Sequence, residues 1–284
     1  MEQTIQGYIR QLQNNPNILS ILLVKQEDKF SPISDGFDAL LIVITNEGPT
    51  SIQHYVIAEH TVQEIYVNQQ ELENWFYHQR TKRIVEWIFN ATVLYEKESW
   101  FTHYHDQLHH FPEAMKERKI CIEFSAFLRR YMAGKDLLNQ GYAMDAYSHI
   151  VHALHHWARI LLIENGLHPE VSMWNQVRLV DQEIYKLYCE LIEGDEPLAK
   201  RLQLLLLASQ FSVNKLMRSS SRLIQHILSS RKEPWTIEEI ADYPLIQESD
   251  IDLSLLMEKL VEREIVFACE DELLDGVAIR KYYV

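Results

Sequence analysis

The first hundred residues alternate between short apolar runs and polar segments. Residues 18–24 and 37–44 are apolar and rich in β-branched side chains, as buried strands are. The same pattern predicts three weaker strands and two flanking helices, at residues 52–57, 62–67, 93–95, 2–13 and 70–79. Strands interleaved with helices predict an α/β arrangement for this region.

Residues 104–230 show helical periodicity instead. Residues 147–163 place their apolar side chains on one helical face, and the Asn165-Gly166 pair after them predicts a helix end. Residues 198–217 are apolar on most sides, which predicts the central helix of a bundle. Residues 106–119 are polar and contain Pro112, and they are interpreted as a solvated connection.

A third pattern begins after a polar linker that ends at Pro234. Thr236 and Glu239 have the spacing of a capping box at the start of a helix. A second helix at residues 252–262 and an apolar pair at 265–268 and 276–279 complete a winged-helix pattern. The sequence therefore predicts an α+β fold with a mixed sheet domain at 1–103, a helical bundle domain at 104–230 and a small winged-helix-like domain at 231–284.

Charge argues against DNA as a partner of this third region. The 284-residue chain has a formal net charge of −14. Between residues 233 and 284 there are four basic residues and fourteen acidic ones. DNA binding draws on Lys and Arg contacts to phosphate. We therefore expect no DNA binding, and a role in packing or protein contact.

Features of export and membrane insertion are absent from the sequence. Its first residues are polar, and its most apolar run, 202–208, is far shorter than the roughly 20 residues that span a bilayer. Cys121, Cys189 and Cys269 are widely spaced and form no CxxC pair. These observations predict a cytoplasmic protein with reduced thiols and no membrane contact.

Three carboxylates are candidates for metal chemistry. Asp35 and Asp38 lead directly into the second strand, and Glu64 lies inside a later one. Carboxylates that converge on Mg²⁺ neutralise a triphosphate and activate an attacking oxygen, which is what nucleotidyl transfer needs. The simpler interpretation is that Asp35 and Asp38 form a turn before a strand and that Glu64 is an exposed charge on an edge strand.

The residues around these carboxylates resemble a known family. Ser34-Asp35 with Asp38-Ala-Leu-Leu-Ile-Val43 resembles the Ser-Asp-x-Asp-Leu strand of nucleotidyltransferases, and Ala91-Thr-Val-Leu-Tyr95 resembles their later strand. The chain is similar throughout to bacterial nucleotidyltransferase-like (YgxA-like) proteins, through Asp35-Gly-Phe-Asp38, Arg83-Ile-Val-Glu-Trp87, Asp145-Ala-Tyr147, His155-His-Trp-Ala158 and Lys186-Leu-Tyr188. The resemblance implies a nucleotidyltransferase-like domain, a helical substrate-binding domain and a C-terminal helix-turn-helix domain.

The resemblance also assigns roles to individual residues. In an active enzyme Asp35 and Asp38 would hold Mg²⁺, and Glu64 would complete the metal site or act as a base. Ser34 and Lys25 would contact the nucleotide, a nucleoside triphosphate would be the donor, and the acceptor is unknown. The oligomeric state is not fixed by the sequence, which is compatible with a homo-oligomer.

Two departures from the family pattern keep the function open. Lys25-Gln26 stands where active members carry Gly-Ser, and the carboxylates are spaced Asp-x-x-Asp. Residues three apart on a strand point to opposite faces, although a bulge at Gly36 could restore convergence. The chain is therefore an Mg²⁺-dependent nucleotidyltransferase, a degenerate nucleotide binder, or a non-enzymatic scaffold that retains the fold.

Histidines mark one further polar surface. His149, His152 and His156 fall opposite the apolar stripe of their predicted helix, and the last two are one turn apart. That spacing suits a metal, but no carboxylate or Cys is in register, and the HExxH motif is absent. We interpret this face as a solvated or interdomain surface.

Overall fold

The computed structural model describes residues 2–25, 35–57, 59–77, 84–110, 113–247, 249–274 and 276–284. It separates into two compact units, Met1–Pro112 and Glu113–Val284. The predicted α+β fold is confirmed, with a mixed sheet in the first unit and helices followed by a small sheet in the second. The three-domain boundaries at residues 103 and 230 stay a prediction.

The first unit is built on a five-stranded sheet with the order β3-β4-β2-β1-β5. Its strands and helices are β1 (Ile18–Lys25), β2 (Ala39–Thr45), β3 (Ser51–Ile57), β4 (His60–Asn68), β5 (Thr92–Glu96), α1 (Glu2–Leu12), α2 (Gln69–Tyr77), α3 (Ile84–Asn90) and α4 (Trp100–His110). The β2–β4 pair is parallel, and the other three pairs are antiparallel. All five strands predicted from the sequence are present.

The central strand β2 is buried on both faces of the sheet. Leu41 and Val43 share one face with Ile9 of α1, while α2 contacts β2 and β4 and buries Leu72. A strand covered on both faces needs apolar side chains at every position rather than at alternate ones. This explains why the β2 segment is a continuous apolar run.

The second unit begins with six helices: α5 (Glu113–Asn139), α6 (Ala143–Glu164), α7 (Met173–Val180), α8 (Gln182–Glu193), α9 (Leu198–Ser220) and α10 (Arg222–Ser229). The predicted solvated connection at residues 106–119 is wrong, because α4 runs to His110 and α5 begins at Glu113. The interpretation was wrong because the first turns of α5 are polar, whereas the middle of the same helix, residues 120–128, is mostly buried.

Helices α5 and α6 pack closely at Gly134. A Cβ atom at this position would lie 2.7 Å from the Ile150 side chain of α6, so the missing side chain allows the helices to approach. The rings of Phe127 and Trp157 meet edge to face nearby, with centroids 6.0 Å apart. Helix α6 ends at Glu164 and is followed by Gly166 with a φ of 74°, which confirms the predicted stop.

Helix α9 contacts α5, α6, α8 and α10, in keeping with the predicted central helix, but only one of its sides is covered. Leu202, Leu205 and Leu216 are buried against the unit, but Leu207 and Phe211 on the opposite side are exposed. Its leucine-rich sequence therefore supplies two apolar faces, and only one of them is covered within the second unit.

The C-terminal part of the second unit has winged-helix topology. After α10 come β6 (Trp235–Thr236), α11 (Ile237–Ala241), α12 (Leu253–Glu262), β7 (Phe267–Leu274) and β8 (Val277–Tyr283), with the sheet order β6-β8-β7. Thr236 and Glu239 form the predicted capping box. The Arg231 guanidinium and the Thr236 backbone N–H lower the pKa of Glu239 to about 2.

Membrane-spanning structure is absent from the described helices, none of which has both the length and the apolarity to cross a bilayer. The three cysteines are free thiols. Cys121 is fully buried in α5, and burial raises the pKa of its thiol to about 12, as expected for a cysteine that packs as a small apolar residue.

Candidate functional site

The predicted site lies at one end of the five-stranded sheet, where β1 finishes and the parallel strands β2 and β4 begin. Asp38 immediately precedes β2. Its Oδ2 atom accepts hydrogen bonds from the Thr61 backbone N–H at 2.8 Å and from the Thr61 hydroxyl at 2.9 Å. His60 Nδ1 lies 3.9 Å from the same oxygen. The start of β4 therefore fixes the position of the Asp38 carboxylate.

Asp35 belongs to a turn at the same end of the sheet. Asp35 and Gly36 have φ values of 51° and 88°. Two successive residues with positive φ are typical of a type I′ turn, which Asp-Gly sequences favour. The turn interpretation of Asp35 is thus correct, and Gly36 serves in a turn rather than in a strand bulge.

Lys25 is the last residue of β1 and is paired in register with Ala39. Because β1 runs antiparallel to β2, this pairing places the exposed Lys25 beside the start of β2, one residue from Asp38. Ser34, the other predicted nucleotide contact, lies outside the described residues. Lys25, Asp35 and Asp38 therefore all belong to segments at this end of the sheet, and their contact with a nucleotide stays a prediction.

Glu64 lies elsewhere. It is 1% exposed, and β4 is an interior strand between β3 and β2, so the prediction of an exposed edge-strand charge is wrong. The Tyr8 hydroxyl of α1 donates a 2.8 Å hydrogen bond to Glu64 Oε1. Burial raises the pKa of Glu64, against the opposing effect of hydrogen bonds from Tyr8 and Tyr55.

The strand register separates Glu64 from Asp38. Asp38 is hydrogen-bonded to Thr61, and Glu64 follows Thr61 by three residues in the same strand. Successive side chains on a strand alternate between faces and rise about 3.3 Å per residue. Glu64 therefore points to the opposite face of the sheet, about 10 Å further along β4.

Only two of the three predicted carboxylates lie where they could bind the same Mg²⁺ ion. Asp35 and Asp38 offer the oxygen ligands that Mg²⁺ prefers, and they lie in one short segment at the sheet end. Glu64 does not join them, and within the described parts of the chain no three His, Cys, Asp or Glu side chains form a metal site. The register thus separates Glu64 from the other two carboxylates, and metal binding by Asp35 and Asp38 stays a prediction.

The helical unit contains a second group of buried charges. His156 Nδ1 of α6 lies 2.7 Å from Glu123 Oε2 of α5, and Arg159 Nη1 donates to the same oxygen at 3.5 Å. Burial lowers the pKa of the neighbouring Lys119 to about 8, although Glu123 opposes the shift. His156 is buried, so its assignment to a solvated surface is wrong, and its carboxylate partner comes from another helix.

Aromatic side chains cluster beside this charge group. Trp174 stacks on Tyr188 with ring centroids 3.7 Å apart, and its indole N–H donates to His155 Nε2 at 3.3 Å. One face of Trp174 is therefore occupied by a protein ring. The sequence pattern gives no indication of this grouping of three rings from three helices.

In the winged helix, the second helix is α12, and it packs against α5 of the same unit. The N-terminus of α12 is attached to α5: the Asp252 N–H donates to Ser125 Oγ at 2.8 Å, and Arg129 pairs with the Asp252 carboxylate at 3.2 Å. The exposed residues of α12 include Glu258 and Glu262. A recognition helix uses its N-terminal residues to contact bases, and here those residues contact α5. The absence of DNA binding stays a prediction.

Comparison with known proteins agrees with this architecture. Family models match three consecutive segments: "Nucleotidyltransferase-like" at residues 1–117, "YgxA-like substrate binding domain" at 117–216 and "Helix-turn-helix domain" at 222–284. The fold and these matches define a nucleotidyltransferase-like protein with an attached helical domain and a winged helix.

Two relatives place the chain more narrowly. The uncharacterised protein YgxA of Bacillus subtilis (strain 168) is 33% identical over 274 residues, covering 96% of this chain and 93% of YgxA. The crystal structure of a nucleotidyltransferase-like protein from Exiguobacterium sibiricum 255-15 superposes with a TM-score of 0.87 at 29% identity, covering 100% of this chain and 99% of that protein. The chain belongs to the YgxA-like family of nucleotidyltransferase-like proteins.

Proposed function

We propose that this protein binds a magnesium–nucleoside triphosphate complex at the sheet end that carries Asp35 and Asp38, and that it does not transfer the nucleotidyl group. The observation that carries the proposal is the register of β4. It leaves Asp35 and Asp38 at the site and directs Glu64 to the other face of the sheet.

Binding and transfer make different demands on the carboxylates. Mg²⁺ keeps several waters and is bound in proteins through one or two carboxylates together with substrate phosphates. Asp35 and Asp38 meet that requirement, and Lys25 supplies a cation for a phosphate oxygen. Transfer additionally requires that the acceptor hydroxyl be activated. Glu64, the residue predicted for this role, accepts a hydrogen bond from Tyr8 on the opposite face of the sheet.

The first test measures binding. We expect nucleoside triphosphates to raise the melting temperature of the full chain only when Mg²⁺ is present, because a ligand that binds only the folded state stabilises it. Asp38→Ala should remove the shift. Glu47→Ala is the matched control, since Glu47 is an exposed carboxylate just after β2, at the opposite end of the strand.

The second test separates binding from chemistry. The wild-type protein and Asp38→Ala are incubated with an α-labelled nucleoside triphosphate, Mg²⁺ and acceptors from three classes: transfer RNA, protein and small alcohols. Transfer of label by the wild type but not by Asp38→Ala would overturn the proposal in favour of an active Mg²⁺-dependent nucleotidyltransferase. Absence of any triphosphate-dependent melting shift would overturn it in favour of a scaffold.

A further inference from the structure

Helix α9 displays an uncovered apolar ridge. Leu204, Leu207 and Phe211 are 51%, 71% and 80% exposed. They recur at i, i+3 and i+7, so they share one face of the helix. Single exposed apolar residues are ordinary, but a contiguous row of them marks an interaction surface.

Basic residues extend this ridge in both directions. Lys200, which pairs with Glu196 at 2.8 Å, lies one turn before Leu204. Lys215 and Arg218 continue the same face beyond Phe211. Helix α9 carries four Lys and Arg residues and no Asp or Glu, in a chain whose net charge is −14. We call the six side chains from Lys200 to Arg218 the α9 face: Lys200, Leu204, Leu207, Phe211, Lys215 and Arg218.

A groove runs along one side of the α9 face. It lies between α5, α9 and α12 and has a volume of about 580 Å³. Leu206 and Leu207 form part of its apolar wall, and Lys135 and Arg263 contribute cations from α5 and from the end of α12. Lys259 also lines it and is paired with Glu262 at 2.8 Å. Both the ridge and its groove therefore combine apolar surface with positive charge.

We propose that the α9 face and this groove bind an acidic amphipathic helix of a partner protein. Helices that dock on helical proteins lay an apolar stripe along a hydrophobic groove, and acidic flanks on such a helix would match Lys215, Arg218 and Arg263. This surface belongs to the helical unit and does not depend on nucleotide binding by the sheet.

A second copy of this chain is a poorer match through the same face. A two-fold dimer brings identical patches together, and an antiparallel pairing of two α9 helices would set Lys200 near Lys215 and Arg218. Like charges directly opposed at an interface disfavour association. The positive charge of the α9 face therefore favours a negatively charged partner.

The test uses a synthetic probe. A fluorescein-labelled peptide of about 18 residues, roughly five helical turns, carries Leu along one face and Glu on the others, and its anisotropy is followed as the full chain is added. We expect saturable binding. The double substitution Leu207→Ser and Phe211→Ser should weaken it by about tenfold or more, since central apolar anchors carry most interface energy. Lys215→Glu with Arg218→Glu should weaken it as well.

Matched controls separate the proposal from general stickiness. Leu179→Ser changes an equally exposed leucine, 83% accessible, on α7, and it should leave the affinity unchanged. A peptide of the same composition in scrambled order should bind far more weakly. Circular dichroism melts verify that each variant is folded.

Four results would overturn the proposal. The first is no saturable binding by the wild type, and the second is equal binding of the scrambled peptide. The third is a sedimentation experiment in which the wild type dimerises and Phe211→Ser is monomeric, which would assign the face to a second copy. The fourth is binding to phosphatidylglycerol vesicles with no binding to the peptide, which would assign it to a membrane surface.

Discussion

The two units each bury a glutamate, and they hold it in opposite ways. Glu64 of the sheet is bonded to the neutral hydroxyl of Tyr8, whereas Glu123 of the helical unit faces His156 and Arg159. The same side chain is thus a poorly solvated acid in one unit and part of an ion-pair group in the other. A buried carboxylate by itself does not indicate a metal site, because its partners determine whether it stays charged.

The largest effect that this comparison predicts is at Glu123. Glu123→Ala leaves Arg159 and Lys119 inside the helical unit without this carboxylate. Removing one partner of a buried ion pair costs about 3 to 5 kcal/mol. Urea denaturation of the full chain at pH 7 should show a loss of that size in the transition of the helical unit.

An exposed ion pair provides the control for this measurement. Glu196 pairs with Lys200 at 2.8 Å on the surface of the same unit. Glu196→Ala should cost no more than about 0.5 kcal/mol, as exposed pairs usually do. Equal losses at Glu123 and Glu196 would show that the buried group contributes no more than a surface contact.

A smaller loss is expected at Glu64. Glu64→Ala removes the acceptor of the Tyr8 hydroxyl and should destabilise the sheet unit by about 2 kcal/mol. Tyr8→Phe removes the donor of the same bond. Since both substitutions break one interaction, the double variant should lose less than the sum of the single losses. Strict additivity would contradict the proposed link between α1 and β4.

The strands and helices could be predicted well from the sequence, but the order of the strands in the sheet and the contacts between helices could not. Strands β1 and β2 were predictable because each is a mostly apolar run that contains β-branched residues. The position of Glu64 was not, because strand order decides whether β4 is an edge, and β3 packs outside it. The residue pattern of β4 alone is compatible with either position.

Long-range pairing explains what was missed in the helical unit. His156 and Glu123 are 33 residues apart and meet only when α5 packs on α6. A signal was present nonetheless: Glu123 is a lone carboxylate in the apolar segment from Ile120 to Phe124, and a charge buried in such a segment requires a partner. The exposed face of α9 could not be predicted in the same way, because a leucine-rich helix sequence does not indicate which of its leucines are buried.

The mildest substitution at the two buried glutamates is Glu→Gln, and its effect on stability should depend on pH differently at Glu64 and at Glu123. Burial raises the pKa of Glu64 in the folded protein, so the folded state binds its proton more tightly than the unfolded state does. The contribution of Glu64 to stability is therefore fully present below its ordinary pKa and is lost as the pH rises through the raised value.

Glutamine still accepts the Tyr8 hydrogen bond and cannot ionise. Relative to the wild type, Glu64→Gln should gain stability as the pH rises above the ordinary glutamate pKa of 4.5. Glu123→Gln, which replaces a carboxylate that faces Arg159, should be destabilised at pH 7. Urea midpoints of the three proteins at several pH values measure this difference. A Glu64→Gln variant that instead loses stability relative to the wild type as the pH rises would show that the folded sheet favours the ionised carboxylate.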